Sequence, residues 1–86
     1  MNRQEIEAEV RKSLAMILDK DVSDVPIDQN LSDEHGLDSL DGLLLLSEVE
    51  ERLDVIFYDA DTDKASTIRG MLEICESAIR QSMEPA

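Results

Sequence analysis

Apolar residues recur at spacings of three and four at the start of the chain, as Ile6, Val10, Leu14, Ile17 and Leu18. Helical neighbours are 100° apart, so these positions share one face and predict a helix over residues 3–19, with Asn2 as its N-cap. The stretch "DKDVSDVPIDQNLSDEHG" (19–36) loses that period. Pro26, its Asp and Asn residues and Gly36 predict a loop, pinned to the core by Val22, Val25, Ile27 and Leu31. It is longer than an ordinary helix connection, which points to a packed or functional segment. A second helix is predicted over 39–53, capped by Asp38. Residues 54–65 read as a connector with Ile56 and Phe57 buried and a short helical turn over 59–64. A last helix over 67–82 carries the stripe Ile68, Met71, Leu72, Cys75 and Ile79.

The second predicted helix holds more leucines than one face can bury. On a helical wheel Gly42, Leu45, Leu46, Val49 and Leu53 fall together as a core stripe. Leu40 and Leu44 fall on the opposite side beside Ser47, Glu48 and Glu51, with Leu43 on the flank near Glu50. If the helix were buried all round, Asp41, Glu48, Glu50 and Glu51 would have to leave water. Exposed leucines within a field of one charge sign instead read as a docking surface.

Composition narrows the class. Eighty-six residues allow one small domain, and an apolar fraction of 42% is enough to fold it. One Phe, one Tyr and no Trp leave an aliphatic core, which together with many charged residues favours an all-α fold. The net charge of −13 argues against nucleic acid as a partner and for basic protein surfaces or divalent cations. The longest apolar run, Leu43–Leu46, cannot span a membrane, and "MNRQEIEAEV" has no signal h-region. A cytoplasmic protein without membrane insertion is expected. The single cysteine, Cys75, excludes an internal disulfide and a CxxC metal site, and its place on an apolar stripe predicts a buried, unreactive thiol.

Ser39 has the chemistry of a modified residue rather than of a nucleophile. The one histidine, His35, is four residues upstream, and "HGLDSLD" is not a GxSxG elbow. A hydroxyl in a first helical turn lies at the positive end of the helix dipole, where unpaired N–H groups favour a phosphate ester. The bland alternative is that Asp38 and Ser39 only cap the helix. In "DADTDKASTIRG", Asp59, Asp61 and Asp63 have the spacing of a calcium loop. Lys64 and Gly70 replace its turn glycine and bidentate glutamate, so no metal site is expected. An acidic adaptor or degenerate calcium module remains the alternative function from a different class.

The stretches "GLDSLD", "EVEERLD" and "DKASTI" resemble, in order, the attachment motif, the acidic end of the second helix and the approach to the last helix of acyl carrier proteins. The resemblance covers nearly all of the chain. It implies a single carrier domain over residues 1–86: a small antiparallel four-helix bundle with a long first loop and a short third helix. It further implies that Ser39 carries 4′-phosphopantetheine, delivered from coenzyme A by a phosphopantetheinyl transferase, with Asp38 as part of the motif. The resemblance also implies a monomeric carrier that is no enzyme. Such a carrier is expected to present acyl thioesters to acyl-transferring, condensing or ligase enzymes through Leu40, Asp41, Leu43, Leu44, Ser47, Glu48 and Glu51. Four positions depart from the family pattern. Leu44 stands where glutamate is frequent, Ser47 where an apolar residue is common, His35 for a usual leucine, and Tyr58 for a frequent proline. These departures point to a specialised carrier serving a dedicated lipid, polyketide or similar pathway rather than to the housekeeping fatty-acid carrier.

Overall fold

Four α-helices and one 3₁₀ turn make up the computed structural model, which describes residues 2–57 and 63–83. They are α1 (Arg3–Leu18), α2 (Leu31–His35), α3 (Ser39–Leu53), the 3₁₀ turn (Lys64–Ser66) and α4 (Ile68–Met83). No strand occurs among the described residues. Helix α1 begins where Asn2 accepts the Glu5 N–H at 2.9 Å while Glu5 accepts the Asn2 N–H at 3.3 Å. This reciprocal capping satisfies two donors that a helix start leaves unpaired. Asp19 and Asp54 end α1 and α3 in the left-handed conformation, each with φ of 54°. Aspartate tolerates that region better than a bulkier side chain does.

Helix α1 packs against both α3 and α4, and the 3₁₀ turn packs against α4 and α3. The core lies between them: Val10 and Leu14 of α1, Leu45 and Val49 of α3, and Met71 and Leu72 of α4 are all fully enclosed. Each such leucine contributes on the order of 1.5–3 kcal/mol by leaving water. Cys75 is buried with them.

The segment between α1 and α3 differs from the predicted loop, because residues 31–35 form α2. Asn30 caps it by accepting the Asp33 N–H at 2.9 Å, and Gly36 ends it at φ 72°. Val22, Val25 and Leu31 are buried and Ile27 is partly so. Polar bonds hold the rest of the segment. Arg11 Nη1 donates to the carbonyls of Val22 and Val25, both at 2.8 Å, and the Arg69 N–H donates to the Ile27 carbonyl at 2.9 Å. Backbone acceptors that helix geometry leaves unpaired are thereby satisfied.

The connector after α3 requires a correction. Phe57 packs against the core, but Ile56 is 57% exposed. The Phe57 N–H donates to Glu50 Oε2 at 2.7 Å, so the chain turns back on α3 with one of the two apolar neighbours inside and the other outside. The turn expected over 59–64 lies mainly outside the described residues; the helical turn that is described covers Lys64–Ser66. No helix of the described residues is long and apolar enough to cross a membrane.

Candidate functional site

The site is built at the junction of α2 and α3. Gly36 takes the left-handed conformation that a side chain disfavours, which ends α2 and reverses the chain. The Leu37 N–H then donates to the Leu31 carbonyl at 3.1 Å and its side chain is buried, anchoring the turn in the core. Asp38 follows as the N-cap of α3. Its Oδ1 accepts the Asp41 N–H at 2.8 Å, and Asp41 Oδ2 accepts the Asp38 N–H at 3.3 Å. Both carboxylates thus serve the helix start, where the dipole also favours negative charge.

Ser39 is the first residue of α3 and is exposed. Asp38 performs the capping, so the Ser39 hydroxyl has no hydrogen bond to any described residue. The N–H groups of Ser39 and Leu40 belong to the first turn, which has no preceding carbonyls to bond. A free hydroxyl beside free N–H groups at the positive end of a 15-residue helix fits a phosphate ester. It is not set up for nucleophilic catalysis by His35. Lys20 Nζ can only donate, so His35 Nδ1 accepts from it at 2.7 Å, and His35 Nε2 then donates to Gln29 Oε1 at 2.7 Å. Both ring nitrogens are occupied in bracing the segment before α3.

Beyond Ser39, α3 divides its leucines. Leu45 and Leu46 are buried, whereas Leu40, Leu43 and Leu44 are 65%, 53% and 49% exposed. Leu53 is partly buried against the core. Ser47 and Glu51 are exposed on the same face as Leu40 and Leu44, and Glu48 and Asp41 are half-buried at its margin. Among the described residues, no Lys or Arg pairs with Asp41, Glu48 or Glu51. The ion pairs lie on α1, α4 and the loops, with Arg52 of α3 reaching back to Glu9 of α1 at 3.2 Å. The outer face of α3 therefore presents apolar side chains and negative charge with no internal counterion.

An open groove of about 440 Å³ runs beside Ser39. Its lining combines Leu37, Asp38, Gly42 and Leu43 around the start of α3 with Asp63, Ala65 and Ser66 at the 3₁₀ turn and Ser32 of α2. Sequence reasoning missed this groove, because the 3₁₀ turn that helps to line it has no periodic signature.

Cys75 belongs to the core rather than to a site. Burial pushes its thiol up to about 12, with the nearby Glu76 carboxylate acting in the same direction. Of the calcium-like stretch 59–70, residues 59–62 lie outside the described residues, Asp59 and Asp61 among them. Among the described residues, no group of three His, Cys, Asp or Glu side chains could hold a metal ion.

The family described as "Phosphopantetheine attachment site" matches residues 8–75, well over half of the chain. A protein named acyl carrier protein from Exiguobacterium sp. is 27% identical over 79 residues, spanning 92% of this chain and all of the relative. One of the same name from Exiguobacterium sibiricum is 23% identical over the same share of each chain. Another from Cyanidium caldarium is 27% identical over 73 residues, or 85% of both chains. The all-helical fold agrees with these matches. Acyl carrier proteins carry rather than catalyse, and their covalent cofactor is 4′-phosphopantetheine. The chain belongs to the phosphopantetheine attachment-site family, as a relative of the acyl carrier proteins.

Proposed function

We propose that Ser39 is the residue that takes the 4′-phosphopantetheine group, and that residues 1–86 act as one acyl carrier domain. The observation that carries this reading is the division of roles at the start of α3: Asp38 caps the helix, and the Ser39 hydroxyl is left exposed and unbonded. In the loading reaction Ser39 Oγ forms a new P–O bond, the pyrophosphate bond of coenzyme A breaks, and 3′,5′-ADP leaves while the transferase accepts the serine proton. When bound, the group supplies a terminal thiol that holds an acyl chain as a thioester. Backbone N–H groups of the first turn of α3 balance the charge of the phosphodiester.

The docking face of this reading comprises Leu40, Asp41, Leu43, Leu44, Ser47, Glu48 and Glu51. Its acids pair with no Lys or Arg among the described residues, so it suits partners with basic patches: a phosphopantetheinyl transferase first, then acyl-transferring, condensing or ligase enzymes. Leu44 and Ser47 stand on this exposed face and depart from the family pattern, which supports service to a dedicated fatty-acid, lipid or polyketide pathway. The carrier acts as a monomer in the cytoplasm.

Peptide mapping after loading from coenzyme A by a purified transferase tests the assignment. The added group is expected on the peptide containing Ser39; its recovery on any other serine or threonine overturns the reading. The thioester found on protein isolated from its natural source identifies the pathway.

A further inference from the structure

Arg52 does not use the partner that its own helix offers. It follows Glu48 by four residues, the spacing at which an acid and a base meet on one helix face, in the favourable order with the acid first. Glu48 nevertheless pairs with no Lys or Arg among the described residues. The Arg52 guanidinium crosses to α1 instead, where Nη1 donates to Glu9 Oε2 at 3.2 Å and Nη2 donates to Met16 Sδ at 3.0 Å. Residues 9 and 16 lie two turns apart on one side of α1, so together they receive two arms of the planar fork. Met16 is 62% exposed, so core packing does not account for it. Its thioether is a weak acceptor that here completes a two-point hold. Glu9 also lies 3.5 Å from Lys12 Nζ.

Resting on the reading of outer α3 as the docking face, we infer that Glu9 and Met16 are positioning residues for docking. They hold the Arg52 charge against α1 and so leave Glu48 available to a basic partner. The other fate of Arg52 is set by reach. Released from α1, its side chain has Glu48 one turn away on its own helix, and pairing there cancels a negative charge at the margin of the face. Arg52 is the one basic residue in α3, so its placement decides whether the outer face of the helix is uniformly negative. Residues of α1, outside the docking face, thereby set the charge that a partner meets.

The test reads KM and kcat of a purified phosphopantetheinyl transferase for the apo chain at low salt. The variants are Glu9→Ala, Arg52→Gln and Glu48→Gln, with Glu9→Ala also placed in the Arg52→Gln and Glu48→Gln backgrounds, each checked for wild-type helicity. Glu9→Ala is expected to raise KM about twofold with kcat unchanged, the size of one ion pair at this helical spacing. Arg52→Gln is expected to leave KM at or below the wild-type value, because no cation is left to reach Glu48. In either background Glu9→Ala is expected to add nothing. If the pair were only a brace between α1 and α3, Arg52→Gln would raise KM as Glu9→Ala does. If net charge alone mattered, the effect of Glu9→Ala would persist in both backgrounds. Either pattern, or a Glu9→Ala chain with wild-type KM, overturns the positioning role and leaves the docking face standing. A Glu48→Gln chain with wild-type KM overturns the docking role of Glu48, and this inference with it.

Discussion

The carbonyl oxygen of Lys64 occupies the place where a side chain at residue 70 would begin: an ideal Cβ on Gly70 would lie 1.6 Å from it. The 3₁₀ turn thus rests directly on the α4 backbone, and the Gly70 N–H donates to Thr67 Oγ1 at 3.0 Å beneath it. Ala65, buried in the same turn, lines the groove together with Ser39.

Gly70→Ala is therefore expected to destabilise the protein, although alanine is the better helix former by about 1 kcal/mol. The turn must move off α4, and overpacking of this kind costs about 1–3 kcal/mol in net effect. Urea unfolding measures it. A stability equal to or above that of the wild type contradicts the close approach.

Cys75 is fully enclosed, with its thiol pushed up to about 12 by burial. The thiolate is the reactive form, so the folded apo chain should not react with a thiol-specific disulfide reagent at pH 8, and one thiol should appear on denaturation. The loaded chain should show one reactive thiol when folded, that of the arm, and two when denatured. Because the folded-state pKa is raised, the stabilisation is complete below the unfolded value near 9 and is lost as pH rises from there towards 12. Rapid native labelling of the apo chain contradicts the burial.

Three long helices were legible in the sequence because each is long enough to show its period. Ile6, Val10 and Leu14, then Leu45 and Val49, then Ile68, Met71 and Leu72 are all buried where the spacing places them. Helix α2 was hidden because its five residues make barely more than one turn and contribute one buried side chain, Leu31. Its capping residues, Asn30 and Gly36, were visible but read equally well as loop punctuation. Ser13 escaped notice for the opposite reason: it is a polar residue, yet fully buried on α1 with its Oγ unbonded. At the candidate site, the wheel separated Leu40 and Leu44 from Leu45 and Leu46. The groove beside Ser39 was not legible, because its walls come from segments remote in sequence.

Asp28 and Arg69 form a bidentate pair that ties the loop to α4, with the second bond, Arg69 Nη2 to Asp28 Oδ2, at 2.9 Å. Hydrogen bonding from Arg69 holds the Asp28 carboxyl below its ordinary value of 3.8. A lowered folded-state pKa contributes stability above the unfolded value and loses it as pH falls through the folded one. The difference in melting temperature between wild type and Asp28→Asn should therefore be present at pH 7 and begin to shrink only as pH drops below about 4. Salt should reduce it as well, since both side chains are exposed. A difference that grows on acidification contradicts the pairing.

The outer face of α3 combines two kinds of contact, and salt separates them. Charge reversal of Glu48 and Glu51 to Lys should lower transferase kcat/KM about tenfold or more at low salt, with the loss fading as ionic strength rises. Leu44→Ser should lower it about fivefold at every salt concentration, because removing half-exposed apolar area does not depend on screening. Asp41 is a poorer probe, because its carboxylate also caps α3. Unchanged kinetics in both variants would remove this face from docking.

The most direct measurement of the central claim is the intact mass of the chain after incubation with coenzyme A and a phosphopantetheinyl transferase, made in parallel on Ser39→Ala. The wild type should gain one phosphopantetheine, and the variant, folded to the same helicity because Asp38 still caps α3, should gain none. A wild type that stays unmodified, or a Ser39→Ala chain that is loaded as fully as the wild type, would contradict it.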